Sequence, residues 1–161
     1  MRKTLIVGYG NFDRQDDGVA WHILAGLAKK LGRQVPESPE EEFLPTGEPL
    51  DFLFSLQLVP ELSERLAGYE RVCFVDTHTG NVPQEVSVVK VDARYQSSPF
   101  THHMTASTLL NLTTTLYHQN PEAILVSVRG YEFGFARELS EKTTVLASQA
   151  VDAIWEWLQA P

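Results

Sequence analysis

Apolar runs and amphipathic stretches alternate along the chain. Residues 4–10 (TLIVGYG), 71–78 (RVCFVDTH) and 123–130 (AILVSVRG) are nearly continuous in apolar residues, as strands buried on both faces are. Residues 51–58 (DFLFSLQL) and 86–93 (VSVVKVDA) read as two further strands. Between them the spacing predicts helices. The first covers 17–32, with Val19, Ile23, Leu24 and Leu27 on one side, Lys29 and Lys30 in the last turn and Gly32 at its end. Others cover 60–69, with Pro60 near the start, and 104–120. Ser140 is the expected N-cap of a last helix with an apolar stripe of Ala147, Val151, Ile154, Trp155 and Leu158, and one of Trp155 and Trp157 is expected in the core. Residues 33–43, acidic and holding two prolines, form an exposed loop. This succession describes a three-layer α/β sandwich with a mostly parallel sheet between helices, taken as one domain over residues 1–161. Such sheets bind ligands beyond the C-terminal ends of their strands, near the point where strand order reverses.

Composition narrows the function. The chain is 43% apolar and 21% charged, with a formal net charge of −8, which argues against nucleic-acid and anionic-membrane partners. A cationic or metal-bearing partner suits that charge better. Cys73 is the only cysteine, so neither an internal disulfide nor a multi-thiolate metal site is available, and its apolar neighbours mark it as inert. The apolar segment at the N-terminus is too short for a signal peptide or a membrane span, so a cytoplasmic location is expected.

The first strand runs into GYGNFDRQDDGVAW, residues 8–21. A dinucleotide fingerprint needs a third glycine where Asp13 stands, and Asp16 and Asp17 would repel a pyrophosphate. One of the two aspartates can serve as a helix cap, but that leaves Gly18 unexplained. Asp76 closes the apolar part of the 71–78 strand, followed by Thr77 and His78, and Thr101-His102-His103 opens the next helix. Carboxylates and an imidazole from three separate loops suit a divalent metal with open coordination positions.

These blocks resemble the hydrogenase maturation endopeptidases, which trim the large subunit of [NiFe] hydrogenases. The resemblance is carried by IVGYGNFDRQDDGVAW, LQLVPELSERLAGYERVCFVDTHTG, THHMTASTLL and LVSVRGYEFGFARELSEKT, in that order. It implies a twisted, mostly parallel five-stranded sheet, and removal of a C-terminal extension from the large-subunit precursor once nickel has been inserted. It also implies that Asp17, Asp76 and His102 recognise the nickel carried by the precursor and form the catalytic site, with His103 as the alternative to His102. Two departures stand out. Asp17 occupies a position often held by the longer glutamate, and PESPEEEFLPTGEPLDF lacks the glycine-rich loop of many relatives.

No GxSxG elbow is present, so hydrolysis requires an activated water, with Asp16 or Asp76 as the expected general base. The alternative expectation is a nickel-dependent checkpoint or chaperone that binds the precursor and cleaves nothing. His22 and His118 are expected at helix surfaces, and His78 lies nearest the expected site. Tyr131, Glu132 and Phe133 follow a strand end, where they either line the cleft or pack a loop.

Overall fold

A computed structural model describes residues 2–95 and 103–161. Five strands form one sheet: β1 (Thr4–Tyr9), β2 (Leu50–Ser55), β3 (Arg71–His78), β4 (Val86–Val91) and β5 (Glu122–Arg129). Their order is β2-β1-β3-β5-β4, with β4 antiparallel to β5 and every other pair parallel. The chain moves from β1 outward to β2, then returns past β1 to β3. Strand order therefore reverses at the β1–β3 boundary, where a ligand crevice is expected.

The side-chain period of two divides the apolar strand residues between two cores. Ile6, Cys73, Val75, Val126 and Val128 face α1 (Val19–Lys30) and α4 (Glu141–Gln159). Leu5, Val7, Val72 and Phe74 face the other way, onto α2 (Leu62–Leu66) and α3 (Ala106–Tyr117). This is the expected three-layer α/β sandwich, with five strands.

Element ends differ from the sequence expectations where turn chemistry intervenes. The expected 17–32 helix begins as a 3₁₀ turn, Gln15–Gly18, and becomes α-helical only from Val19. The 60–69 helix is reduced to the five residues of α2. Ser140 caps α4 as expected, its hydroxyl accepting from the Thr143 amide at 3.3 Å. Neither Trp155 nor Trp157 is fully buried. Trp157 instead lies under the buried Arg71 guanidinium, 4.3 Å from the ring centroid, while Arg71 also donates to the Trp157 and Leu158 carbonyls. A buried cation thereby satisfies the last carbonyls of α4 and ties them to the start of β3. Among the described residues no helix is long and apolar enough to cross a membrane.

Candidate functional site

The turn after β1 is folded tightly onto the 3₁₀ turn. Gly10 has φ +147°, and a Cβ there would stand 2.1 Å from the Asp17 carbonyl oxygen, so only glycine is accommodated. Asp17 closes the turn from inside, its Oδ2 accepting from the Asn11 amide at 2.8 Å. Gly18 also has its reason, since a Cβ would lie 2.7 Å from Phe12 Cα where the turn packs on the helix start. Neither aspartate caps α1, whose N-cap is Gly18 with no side-chain hydrogen bond.

Asp16 is fully buried and does something the sequence reading missed. Its Oδ1 accepts from the Ser140 amide at 2.8 Å. Its Oδ2 accepts from the Tyr131 and Glu132 amides, both at 2.9 Å, from Ser140 Oγ at 2.7 Å and from Thr143 Oγ1 at 2.9 Å. The carboxylate thus sits at the N-terminus of α4, where orphan amides and the helix dipole favour an anion. Burial alone would raise its pKa, but the Ser140 hydroxyl and the Glu132, Ser140 and Tyr131 amides outweigh it, and the net pKa lies below the ordinary value. With both oxygens engaged, Asp16 is not available as a general base. The loop through Tyr131 and Glu132 is accordingly a packing loop held by Asp16.

Asp76 is treated very differently. It lies next to the crevice on β3, two residues before the strand ends, paired in register with Ser127 of β5. The Tyr9 hydroxyl donates to its Oδ2 at 3.0 Å, whereas its Oδ1 is buried and, among the described residues, has no hydrogen-bond partner. Burial pushes this carboxyl up to about 6; the Ser127 and Tyr9 hydroxyls and His78 oppose the shift, and the charge of Asp17 adds to it. Burial and the neighbouring carboxyl raise the Tyr9 hydroxyl as well. The next residue, Thr77, stitches β3 to the 3₁₀ turn, its hydroxyl lying 3.0 Å from the Asp16 carbonyl and 3.3 Å from that of Asp17. Asp17 and Asp76 are therefore brought together at the point where strand order reverses.

The histidines divide. His102 lies outside the described residues. His103 is exposed just before α3. His78 is turned away from ligand duty: Nδ1 accepts from the Gly80 amide at 3.1 Å, which leaves Nε2 to donate to the Gln84 carbonyl at 2.8 Å. His22 stacks on Phe12 with ring centroids 5.0 Å apart and meets the Arg137 carbonyl, and His118 is the left-handed C-cap of α3. Cys73 is fully buried and burial pushes its thiol up, so it is no nucleophile.

Among the described residues no group of three or more His, Cys, Asp and Glu side chains gathers as a metal site. Asp17 and Asp76 are the described part of the expected donor set. One unpartnered buried carboxylate oxygen beside a second carboxylate fits a divalent cation presented from outside.

No protein-family model matches the chain, and no curated protein matches it significantly. Solved structures do. The hydrogenase maturating endopeptidase HybD from E. coli superimposes with a TM-score of 0.72 at 17% identity, over 99% of this chain and 93% of that one. The [NiFe] hydrogenase maturation protease HycI from Thermococcus kodakarensis gives 0.68 at 18% identity, over 99% and 94%. HybD from the same organism gives 0.65 at 17% identity, over 98% and 99%. The fold implied by the sequence resemblance is the fold found, over almost the whole chain.

Proposed function

We propose that this protein is an endopeptidase that removes the C-terminal extension of a [NiFe] hydrogenase large-subunit precursor after nickel insertion. The observation that carries this reading is the Asp76 carboxylate, with one oxygen held by Tyr9 and the other buried without a partner among the described residues, at the crevice of a fold shared with maturation endopeptidases. A buried polar atom left unpaired is costly, and its retention at a ligand-binding edge points to an atom supplied by the substrate. The nickel of the loaded precursor is that atom, engaged by Asp17, Asp76 and His102 as part of the substrate. Engagement positions the tail for hydrolysis, the cation polarising the scissile carbonyl. Water adds to that carbonyl, its proton passes to Asp76 Oδ2, whose hydrogen bond from Tyr9 leaves a lone pair free, and the collapsing intermediate expels the amine with that proton. Asp16 takes no part in proton transfer because its oxygens are engaged. A precursor without nickel lacks the anchor and is not cut.

The test is the intact mass of the nickel-loaded precursor before and after incubation with the protein. Loss of a C-terminal peptide is expected, slowed about 10³-fold by Asp76→Asn. An unchanged mass despite a stable complex would replace the peptidase with the binding checkpoint.

A further inference from the structure

One edge of the sheet is open for a strand that the chain itself does not supply. The Thr4 amide donates to the Pro49 carbonyl at 2.9 Å and the Gly10 amide to that of Ser55 at 3.1 Å. In a parallel pair this parity turns the backbone groups of residues 49, 51, 53 and 55 toward β1 and those of Leu50, Phe52 and Phe54 outward. The Leu50 carbonyl is taken by the Arg33 guanidinium. Among the described residues, no backbone hydrogen bond from outside the sheet reaches Phe52 or Phe54. The 33–49 loop passes beside this edge, touching it where Phe43 meets Phe52 with ring centroids 5.5 Å apart, and leaves a cavity of about 340 Å³. Residues 51–54 all line it. Because consecutive strand residues point to opposite faces, a space that meets all four runs along the edge of the strand and not over one face.

The far wall of the groove carries Phe43 with Glu41 and Glu42, both exposed, and Asp51 and Arg65 complete the charged lining. From residue 34 to residue 60 the chain has Glu37, Glu40, Glu41, Glu42, Glu48 and Asp51 and no lysine or arginine. One residue beyond the groove, β2 ends at Ser55, whose carbonyl accepts from the Gly10 amide at the start of the turn that contains Asp17. Taking the peptidase reading as given, we propose that an extended segment of the hydrogenase precursor adds as a sixth strand along β2, its backbone paired with Phe52 and Phe54. Its apolar side chains enter beside Phe43 and a lysine or arginine meets Glu41 and Glu42. The groove feeds the segment toward Asp17 and Asp76.

The test uses backbone amide exchange, followed by NMR, in the Asp76→Asn protein saturated with nickel-loaded precursor, complex formation being verified by gel filtration, so that the complex is present and is not consumed. Exchange at the Phe52 and Phe54 amides slows about tenfold or more, while Leu53, already bonded to β1, is unchanged. A Glu41→Lys, Glu42→Lys double variant of the active protein raises KM about tenfold and lowers kcat far less, since exposed rim charges govern encounter and register. Unmoved exchange at Phe52 and Phe54 in the verified Asp76→Asn complex while the wild-type protein cuts the precursor, or a KM indifferent to the double charge reversal, overturns the groove and leaves the peptidase standing. If the wild-type protein neither binds nor cuts the precursor, both readings fall together.

Discussion

Asp16 and Asp76 are two aspartates at the same edge of the same sheet, and they are solvated in opposite ways. Asp16 has five donor contacts, four of them at one oxygen, with the Thr143 hydroxyl sharing its proton with the Arg129 carbonyl, and its pKa lies below the ordinary value. Among the described residues, Asp76 accepts a hydrogen bond from Tyr9 and keeps an oxygen buried and unpartnered, and it is pushed up to about 6. Burial acts on both; the number of donors decides the sign. The lesson is that a carboxylate fully met by its own chain is part of the framework, whereas one left short of donors by the described residues keeps capacity for a further partner. Position in the motif does not separate the two roles, since Asp16 is the immediate neighbour of the expected ligand Asp17.

The contrast breaks most sharply at Asp16. Asp16→Asn turns an amide NH₂ toward backbone amides and hydroxyls that all donate, and is expected to destabilise the fold by about 3 kcal/mol or more. Urea unfolding measures this, and an unchanged midpoint would mean that the five contacts are not a structural clasp.

The second prediction sets the two aspartates against each other as pH changes. Asp16, with its folded pKa lowered, contributes stability that is present above its unfolded value near 3.8 and is lost as pH falls through its folded pKa. Asp76 has the opposite sign. Its folded pKa is raised from 3.8 to about 6, so the folded state keeps a proton that the unfolded state has lost, and stability falls as pH rises across that interval. Asp76→Asn is expected to flatten the decline between those values and leave the loss at lower pH in place. Melting temperatures of the two proteins from pH 3 to pH 8 check this, and parallel profiles between pH 4 and 6 would remove Asp76 from the account.

The smallest effect sharpens the Asp16 side alone. Ser140→Ala removes the α4 cap and one of five donors to Asp16, and is expected to cost about 1–2 kcal/mol while leaving cleavage unchanged. Thermal unfolding beside the precursor mass assay separates the two readouts.

What the sequence made legible follows the range of the interactions. The apolar runs of β1, β3 and β5 and the Ser140 cap are local patterns, and local spacing is sufficient to read them. Asp76 was legible as a candidate because a carboxylate at the end of a buried run is conspicuous on its own. Its partner Tyr9 was not, because the two are 67 residues apart and no period links them. Asp16 was misjudged for the same reason. Its donors lie 115 to 127 residues away, so the cap role suggested by its neighbourhood gave way to a clasp on another helix. His78 was credited with nearness to the site, but the loop behind it supplies a donor and an acceptor for its ring.

The Asp16 clasp also orders events in time. During synthesis the first turn, with both of its aspartates, emerges early, while Tyr131, Ser140 and Thr143 come only near the end. Contacts of such sequence separation form late, after the entropy of closing a long loop has been met. Until α4 docks, the turn that carries Asp17 is held beside β3 by Thr77 and by the 131–136 loop, without the Ser140 and Thr143 donors that complete the clasp. A nascent chain ended before Ser140 would contain Asp17 and Asp76 and the whole sheet, yet lack three of the donor contacts that hold Asp16 in place.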